Sequence, residues 1–514
     1  MGMLAAMAPT PSSSSPPDAA HVADATHCAT PGAAPRPRAD ACPGALRLHQ
    51  AEDGALARIR VVGGVLDAAQ AEALADAALH LGDGHLHLTS RGNIQLRGLP
   101  AESGTRLAQL LAAAGLLPSP AHERVRNIVA SPLSGLDAGG HRDVAAWVSG
   151  LDRLLCESEA AGELSGRFLF ACDDGRGDVL GLDADVTLLA TPDGDALLLL
   201  GAGGHGDRTA VRVAGTHAPA AALAAAEVFL TVTRERGARV WRIAELPPEG
   251  TGTDTAGAVG AGAADRPGTG LATGGAALLR RVAARVEGAA CLASVPLRAA
   301  ARSAPDGGPE PGIVENPGGG GRAALSVLAP LGRLSGEQWR SVARLARREG
   351  TGEVRVTPWR GVVVPGVAAG RARGALAALG DAGLVTESGS PWRGVGACTG
   401  RPGCGKALAD VRADATATAP AGAGHAGGLP VYWSGCARRC GHPRGAHVEV
   451  VAEPDGYRVT EVPAAPPAHS PASTGALVPF GARTRLAVAV AAARAGHGPG
   501  NSATSPGSSD NATR

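Results

Sequence analysis

Lysine and aromatic side chains are nearly missing from this chain of 514 residues. Lys406 is the single lysine, so arginine supplies all the rest of the 48 basic side chains, and only four phenylalanines and two tyrosines are present. Positive charge carried this way persists at any working pH and comes as a planar fork that suits carboxylates. A net charge of +1 gives no basis for general attraction to nucleic acid or an acidic membrane. No apolar run reaches the ~18 residues of a membrane span. The opening MGMLAAMAP lacks the basic and apolar regions of a signal peptide. A cytoplasmic chain is therefore expected, in which the nine cysteines are thiols or metal ligands rather than disulfides.

Large apolar side chains are also scarce in particular stretches. Residues 1–45 read as a disordered tail, 247–322 as a linker region with a short helix, 412–429 as a further linker, and 471–514 as a C-terminal helix and disordered tail.

Between them lies an internal repeat. Leu56 to Leu116 matches Ala324 to Leu384 without a gap at an offset of 268, with identities such as Gly64/Gly332, Gln70/Gln338, Gly82/Gly350 and Thr89/Thr357. Each copy reads as a strand, a helix capped by Asp67 or Ser335 with glutamine three positions on, a strand pair with alternating apolar residues, and an Ala/Leu helix. The expectation is an α+β chain: two ferredoxin-like half-domains (46–118 and 323–390) in a pseudo-twofold arrangement, with a ligand between them. Two further α/β domains follow them, at 119–246 and 391–470.

After the second copy, Cys398 and Cys404 stand in a C-x5-C spacing, and Cys436 and Cys440 in C-x3-C. Four thiolates in two local pairs fit a [4Fe-4S] cluster, and C-x5-C fits a structural zinc poorly. Gly403, Gly405, Gly435 and Gly441 would let backbone amides approach the sulfurs. Cys28, Cys42, Cys156, Cys172 and Cys291 show no such spacing and read as ordinary small residues.

The combination of T-x-R-x-N-I-Q-L-x-G at Thr89 to Gly98, R-N-I at Arg126 with SPLSG, and the two cysteine pairs resembles the siroheme-dependent nitrite and sulfite reductases over residues 42–465. The resemblance implies that Cys398, Cys404, Cys436 and Cys440 hold a [4Fe-4S] cluster, with Cys440 bridging to siroheme. It also implies that basic residues at Arg91, Arg126 and a K-F-K segment bind and protonate an anionic substrate. Here that segment is Arg167-Phe168-Leu169, and a guanidinium is a poor general acid. The stretches ACPGALRLHQ, ACTGRPGCGKALAD and SGCARRCGHP resemble the precorrin-3B synthase branch of aerobic cobalamin biosynthesis.

That branch implies a monooxygenase, which uses dioxygen and an external electron donor such as a reductase or ferredoxin. It hydroxylates the tetrapyrrole precorrin-3A at C20 with γ-lactone formation, with a [4Fe-4S] cluster and a mononuclear non-haem iron. Arg91, Arg97, Arg126 and Arg167 are the expected grips on the tetrapyrrole, with Arg91, Arg126 and Arg167 catalytic. Arg124, Arg360 and Arg393 are weaker candidates. His85 and His87 share a strand face, and His442 and His447 follow the last cysteine, so any of these could serve iron. A siroheme-dependent sulfite or nitrite reductase and a non-enzymatic tetrapyrrole binder are the alternatives.

Overall fold

Asp67 and Ser335 both close capping boxes. Each side chain accepts the backbone N–H of the glutamine three residues on, Gln70 or Gln338, and that glutamine's side chain accepts the cap residue's own N–H. The helices started this way, Ala68–Leu81 and Gly336–Glu349, lie against each other. The computed structural model describes residues 40, 42–201, 207–246, 270–296, 308–318, 320–419, 428–443, 445–463 and 475–495.

Each half-domain contributes four strands to its own sheet and lends a short fifth to the other. Val65–Asp67, just ahead of the first cap, pairs antiparallel with Glu353–Val356 of the second copy. Arg333–Ser335 pairs in the same way with His85–Leu88 of the first. The two five-stranded sheets are thereby stitched together by reciprocal exchange, and their apolar faces merge into one core. The sequence pattern does not reveal these three-residue strands, because no period can be read from three positions.

Positions related by the repeat meet at the pseudo-dyad. The Ala68 N–H donates to the Gly352 carbonyl at 2.8 Å, and the Gly336 N–H donates to Gly84 at 2.8 Å. The fully buried Trp339 donates its indole N–H to the Ala71 carbonyl at 2.7 Å, across a contact between a residue and its own counterpart. Gly64, at φ +77°, must be glycine: a Cβ there would stand 2.2 Å from the Val356 carbonyl of the other copy.

Two mixed sheets complete the chain. Ile128–Ala130, Phe170–Asp173 and Val186–Ala190 run parallel, and Ala196–Leu200, Asp207–Val213 and Ala290–Pro296 extend them antiparallel. Helices Ala145–Glu157, Ala218–Glu235 and Gly270–Ala283 cover one face. The second sheet runs Val395–Ala397, Val431–Ser434 and His447–Glu453 in parallel, then Gly456–Val462 and Ala476–Val478 antiparallel. Helices Val411–Thr418 and Arg483–Ala495 pack on it.

Several stretches expected to be linker or tail are structural. Leu278, Leu279 and Val282 of the short helix expected in 247–322 enter the core under the six-stranded sheet, and Gly312–Glu315, expected as linker, is the edge strand of the second half-domain. Ala415, inside the expected linker 412–429, fills the core under the last sheet, together with Leu486 and Val490 of the expected C-terminal helix. Small residues misled the composition argument, because alanine and valine bury completely when helices approach closely. In the expected N-terminal tail, Asp40 accepts from Ser165 and Gly166, and Cys42 is buried. Cys28 and the rest of the two terminal tails lie outside the described residues. Among the described residues no helix is long and apolar enough to cross a membrane.

Replacing Trp339 by alanine removes both its volume and its hydrogen bond at the dyad, and is expected to cost about 3–5 kcal/mol. Urea unfolding followed by circular dichroism checks this, with Trp339→Phe expected to lose clearly less.

Candidate functional site

The turn Thr89–Asn93 is held by the Thr89 hydroxyl, which accepts the N–H groups of Arg91 (3.4 Å) and Asn93 (3.1 Å). Asn93 Oδ1 accepts the Val61 N–H, and its Nδ2 donates to Asn127 Oδ1 at 2.9 Å. Asn127 donates in turn to the Phe168 carbonyl at 3.0 Å. The three motif segments that stand far apart in sequence are thus joined by two buried amides, Asn93 and Asn127. Arg60 completes the knot, donating to Asn127 Oδ1, to the carbonyls of Arg124 and Gly166, and to Cys42 Sγ.

Arg91 extends from this turn into a group of guanidiniums. Burial and the nearby charges of Arg242, Arg60 and Arg58 pull it down to about 9. Arg242 pairs with Asp185 at 2.5 Å, while Arg58 reaches only Gln95 (3.5 Å) and Cys42 (3.7 Å) and leaves its Nε buried without a partner. Among the described residues the Arg91 side chain has no hydrogen-bond partner. Arg167 lies with its guanidinium 4.5 Å from the Trp241 ring. Such a concentration of cations is electrostatically unfavourable by itself and is relieved by a nearby negative charge. Arg58, Arg60 and Arg242 carry no motif signal of their own, and Cys42, read from sequence as an ordinary residue, touches two of these arginines.

Two expected grips are spent inside the protein. Arg97 is buried, forks onto Asp53 with two 2.8 Å bonds and donates to the Gly403 carbonyl at 2.7 Å. Arg126 forks onto Asp152 at 2.7 and 2.8 Å and reaches the Leu116 carbonyl. Each thus turns the bidentate edge of its guanidinium to a carboxylate of the protein rather than to a ligand. Arg124 pairs with Asp40 and Arg393 with Glu310, while Arg360 lies over the Tyr432 ring and donates to Gly441.

The cysteine loops sit beside this face. Cys398 follows the strand Val395–Ala397, and its Sγ accepts the Gly435 N–H at 3.2 Å. Burial pushes its thiol up, amides of Gly435 and Gly400 oppose this, and the sulfurs of Cys440 and Cys404 push it further. Tyr432 donates to the Cys440 carbonyl at 2.8 Å and is raised to about 12, first by burial and then by Cys398 and Cys440. Cys436 follows Gly435 directly. Cys398, half-buried, served by backbone N–H groups and close enough to Cys404 and Cys440 to feel their charge, fits one corner of a cluster of iron and sulfide, which needs several thiolates stabilised at once. Cys172, by contrast, is buried in the core with its thiol pushed to about 12, and Cys291 is exposed. Cys156 lies half-buried near Asp152 and Arg126.

His87 clamps the cluster domain onto the first half-domain. Its ring meets Arg412 at 3.2 Å and Asp83 at 3.4 Å, and Arg412 donates to the Cys398 carbonyl. His85 is engaged by the Asp83 carbonyl and Arg333, so the two strand histidines do not converge on a metal. Burial lowers His87 to about 4, Arg412 and Arg97 add to this, and Asp83 opposes it. The folded protein therefore keeps His87 neutral where the unfolded chain takes up a proton, between about pH 6.5 and 4. Stability present above that window is expected to fall by on the order of 2–3 kcal/mol as pH drops through it. Urea midpoints measured across this range should decline for the wild type and more shallowly for His87→Gln.

Comparison with known proteins agrees with this architecture. The nitrite/sulfite reductase ferredoxin-like half domain matches residues 49–114 and 315–382. A ferredoxin–nitrite reductase of Synechococcus elongatus is 28% identical over 76% of this chain and 75% of its own. A precorrin-3B synthase from Sinorhizobium is 28% identical over 84% of this chain and 86% of its own. The structure of Mycobacterium tuberculosis NirA superposes with a TM-score of 0.58 at 19% identity, covering 79% of this chain and 74% of NirA, and so shares the fold. The chain thus carries two nitrite/sulfite reductase ferredoxin-like half domains and resembles precorrin-3B synthase and ferredoxin–nitrite reductase over most of its length.

Proposed function

We propose that this chain is an oxygen-dependent monooxygenase that hydroxylates precorrin-3A at C20 with γ-lactone formation. The observation that carries the reading is the arginine group around Arg91: cationic, part-buried and short of carboxylates. A tetrapyrrole whose edge bears acetate and propionate groups supplies the missing anions as bidentate partners. Arg91 and Arg58 would take carboxylates, Arg60 and Arg242 would hold the field in place, and Arg167 would act from its stack on Trp241.

Cys398, Cys404, Cys436 and Cys440 would hold the [4Fe-4S] cluster. Bound there, the cluster would pass single electrons from an external donor such as a ferredoxin. Hydroxylation by dioxygen places one oxygen atom in the substrate and releases the other as water, which takes up two electrons and two protons. Arg97, through Gly403, and Arg412, through the Cys398 carbonyl, orient the cysteine loops against the first half-domain. They are positioning residues in this reading.

The second reading, a siroheme-dependent nitrite or sulfite reductase, is favoured by the resemblance to nitrite reductase. It is disfavoured by Arg167-Phe168-Leu169. Leu169 is 1% exposed and packs among Val129, Ala171 and Val179, leaving no proton donor at that position.

Anaerobically purified protein is expected to show a cluster spectrum without a siroheme band. It should convert precorrin-3A to the hydroxylated lactone, followed by mass spectrometry, when given dioxygen and a reductant. Stoichiometric siroheme with viologen-driven nitrite or sulfite reduction would overturn the proposal, and substrate returned unchanged would mark a binder. Arg91→Ala should lower kcat/KM by about 10- to 100-fold, the loss of one charge-assisted hydrogen-bonded pair. Cys404→Ser should lose the four irons and four sulfides that Cys291→Ser retains, as metal and acid-labile sulfide analysis would read.

A further inference from the structure

Immediately after Cys440, the chain turns at Gly441 (φ +79°) and brings His442 against the strand His447–Glu453. His447 and Glu449 are two positions apart on that strand and project from the same face, opposite to Val448 and Val450 in the core. The rings of His442 and His447 stack with centroids 5.9 Å apart. One ligand-type atom from each of His442, His447 and Glu449 lies within 4.8 Å of the others.

The hydrogen bonds determine which ring nitrogens are free. Nδ1 of His442 lies 2.9 Å from the Pro443 carbonyl, and Nδ1 of His447 lies 2.8 Å from that of Gly445. A carbonyl oxygen can only accept, so both Nδ1 atoms carry a proton, and in the neutral rings both Nε2 atoms present lone pairs. The Nε2 of His447 is buried and has no hydrogen-bond partner. Its nearest acidic atom, Glu449 Oε1, stands 3.7 Å away, beyond hydrogen-bond reach. Glu449 Oε2 accepts Arg439 Nε at 2.8 Å, which orients the carboxylate and leaves Oε1 for another partner.

The geometry points to a mononuclear site for a divalent transition-metal ion, held by His442 Nε2, His447 Nε2 and Glu449 Oε1. Two imidazoles and one carboxylate on one side of an ion form the facial triad that suits iron(II) and leaves positions open to small molecules. Imidazole Nδ1–H groups bound to carbonyls and a carboxylate bound to an arginine are the supports such ligands usually have. Metal bonds of ~2.0–2.2 Å put neighbouring ligand atoms about 3 Å apart, so the three atoms, which now lie within 4.8 Å of one another, must close in around the ion. His442 is exposed, so its ring is free to make that adjustment and solvent reaches the open positions. The site deepens the proposed function: the choice of iron rests on that reading, whereas the ligand set rests on the geometry alone.

The test uses cluster-loaded protein, freed of loosely held metal by chelation and titrated anaerobically with cobalt(II), a spectroscopic stand-in for iron(II). Binding of one equivalent, with a high-spin cobalt signal in electron paramagnetic resonance, is expected. Glu449→Gln and His447→Ala should weaken it by at least about a hundredfold, since even supporting residues contribute 10- to 100-fold. Arg439→Gln should weaken it by about tenfold, and His80→Ala, on a distant helix, should leave it unchanged. Iron and sulfide counts on each variant confirm that the cluster is retained.

Wild-type protein that takes up no stoichiometric cobalt(II) would overturn the site, as would Glu449→Gln binding like wild type with its cluster intact; the trio would then be a buried histidine–glutamate pair. Cobalt binding without precorrin-3A turnover would instead remove the proposed function and leave the metal site standing.

Discussion

Everything in this fold depends on the exchange of two three-residue strands across the pseudo-dyad. Neither half-domain completes its own sheet: the edge beside His85–Leu88 is filled by Arg333–Ser335, and the edge beside Glu353–Val356 by Val65–Asp67. An unfilled edge leaves a row of unpaired N–H and C=O groups, so each copy needs the other for its hydrogen bonds as well as for its core. The capping boxes begin their helices at the last residue of each exchanged strand, which ties helix start, strand exchange and dyad contact to a few consecutive residues.

The symmetry of the scaffold makes its chemical asymmetry legible. Thr89 and Thr357 hold equivalent turns, yet Arg91 enters the group of guanidiniums while its counterpart Trp359 packs beside Val179 and Leu182. His87 secures the cluster domain through Arg412, and its counterpart Arg355 secures the other α/β domain through the carbonyls of Pro132 and Ser134. Equivalent positions thus perform equivalent docking, one to each large domain, while only one turn carries a free guanidinium.

Electrostatics separates arginines that build from arginines that wait. Arg97, Arg126 and Arg176 are satisfied by carboxylates of their own domains, and Arg97 also reaches the Gly403 carbonyl of the cluster domain. Arg58 and Arg91 are left short of partners next to Arg60 and Arg242. Buried cations without counter-charges are costly to stability, and the carboxylates of the proposed tetrapyrrole substrate would supply the missing charges.

Much of this was legible in the residues. The gapless repeat, the caps at Asp67 and Ser335, the hairpins and the paired cysteine spacings depend on local pattern, and local pattern is what a linear sequence records. The arginines beside motifs were found too, but not their fates: whether Arg97 or Arg91 is free depends on Asp53 and Gly403 arriving from elsewhere. The linkers were misjudged at the strand Gly312–Glu315 and at Ala415, because small apolar residues bury well only when a partner surface is known. The sequence by itself determined a duplicated α+β scaffold with a thiolate cluster motif. Tertiary structure alone decided which cations are unsatisfied and that His442 meets His447 and Glu449, because unpaired charge and convergent lone pairs are properties of neighbours in space.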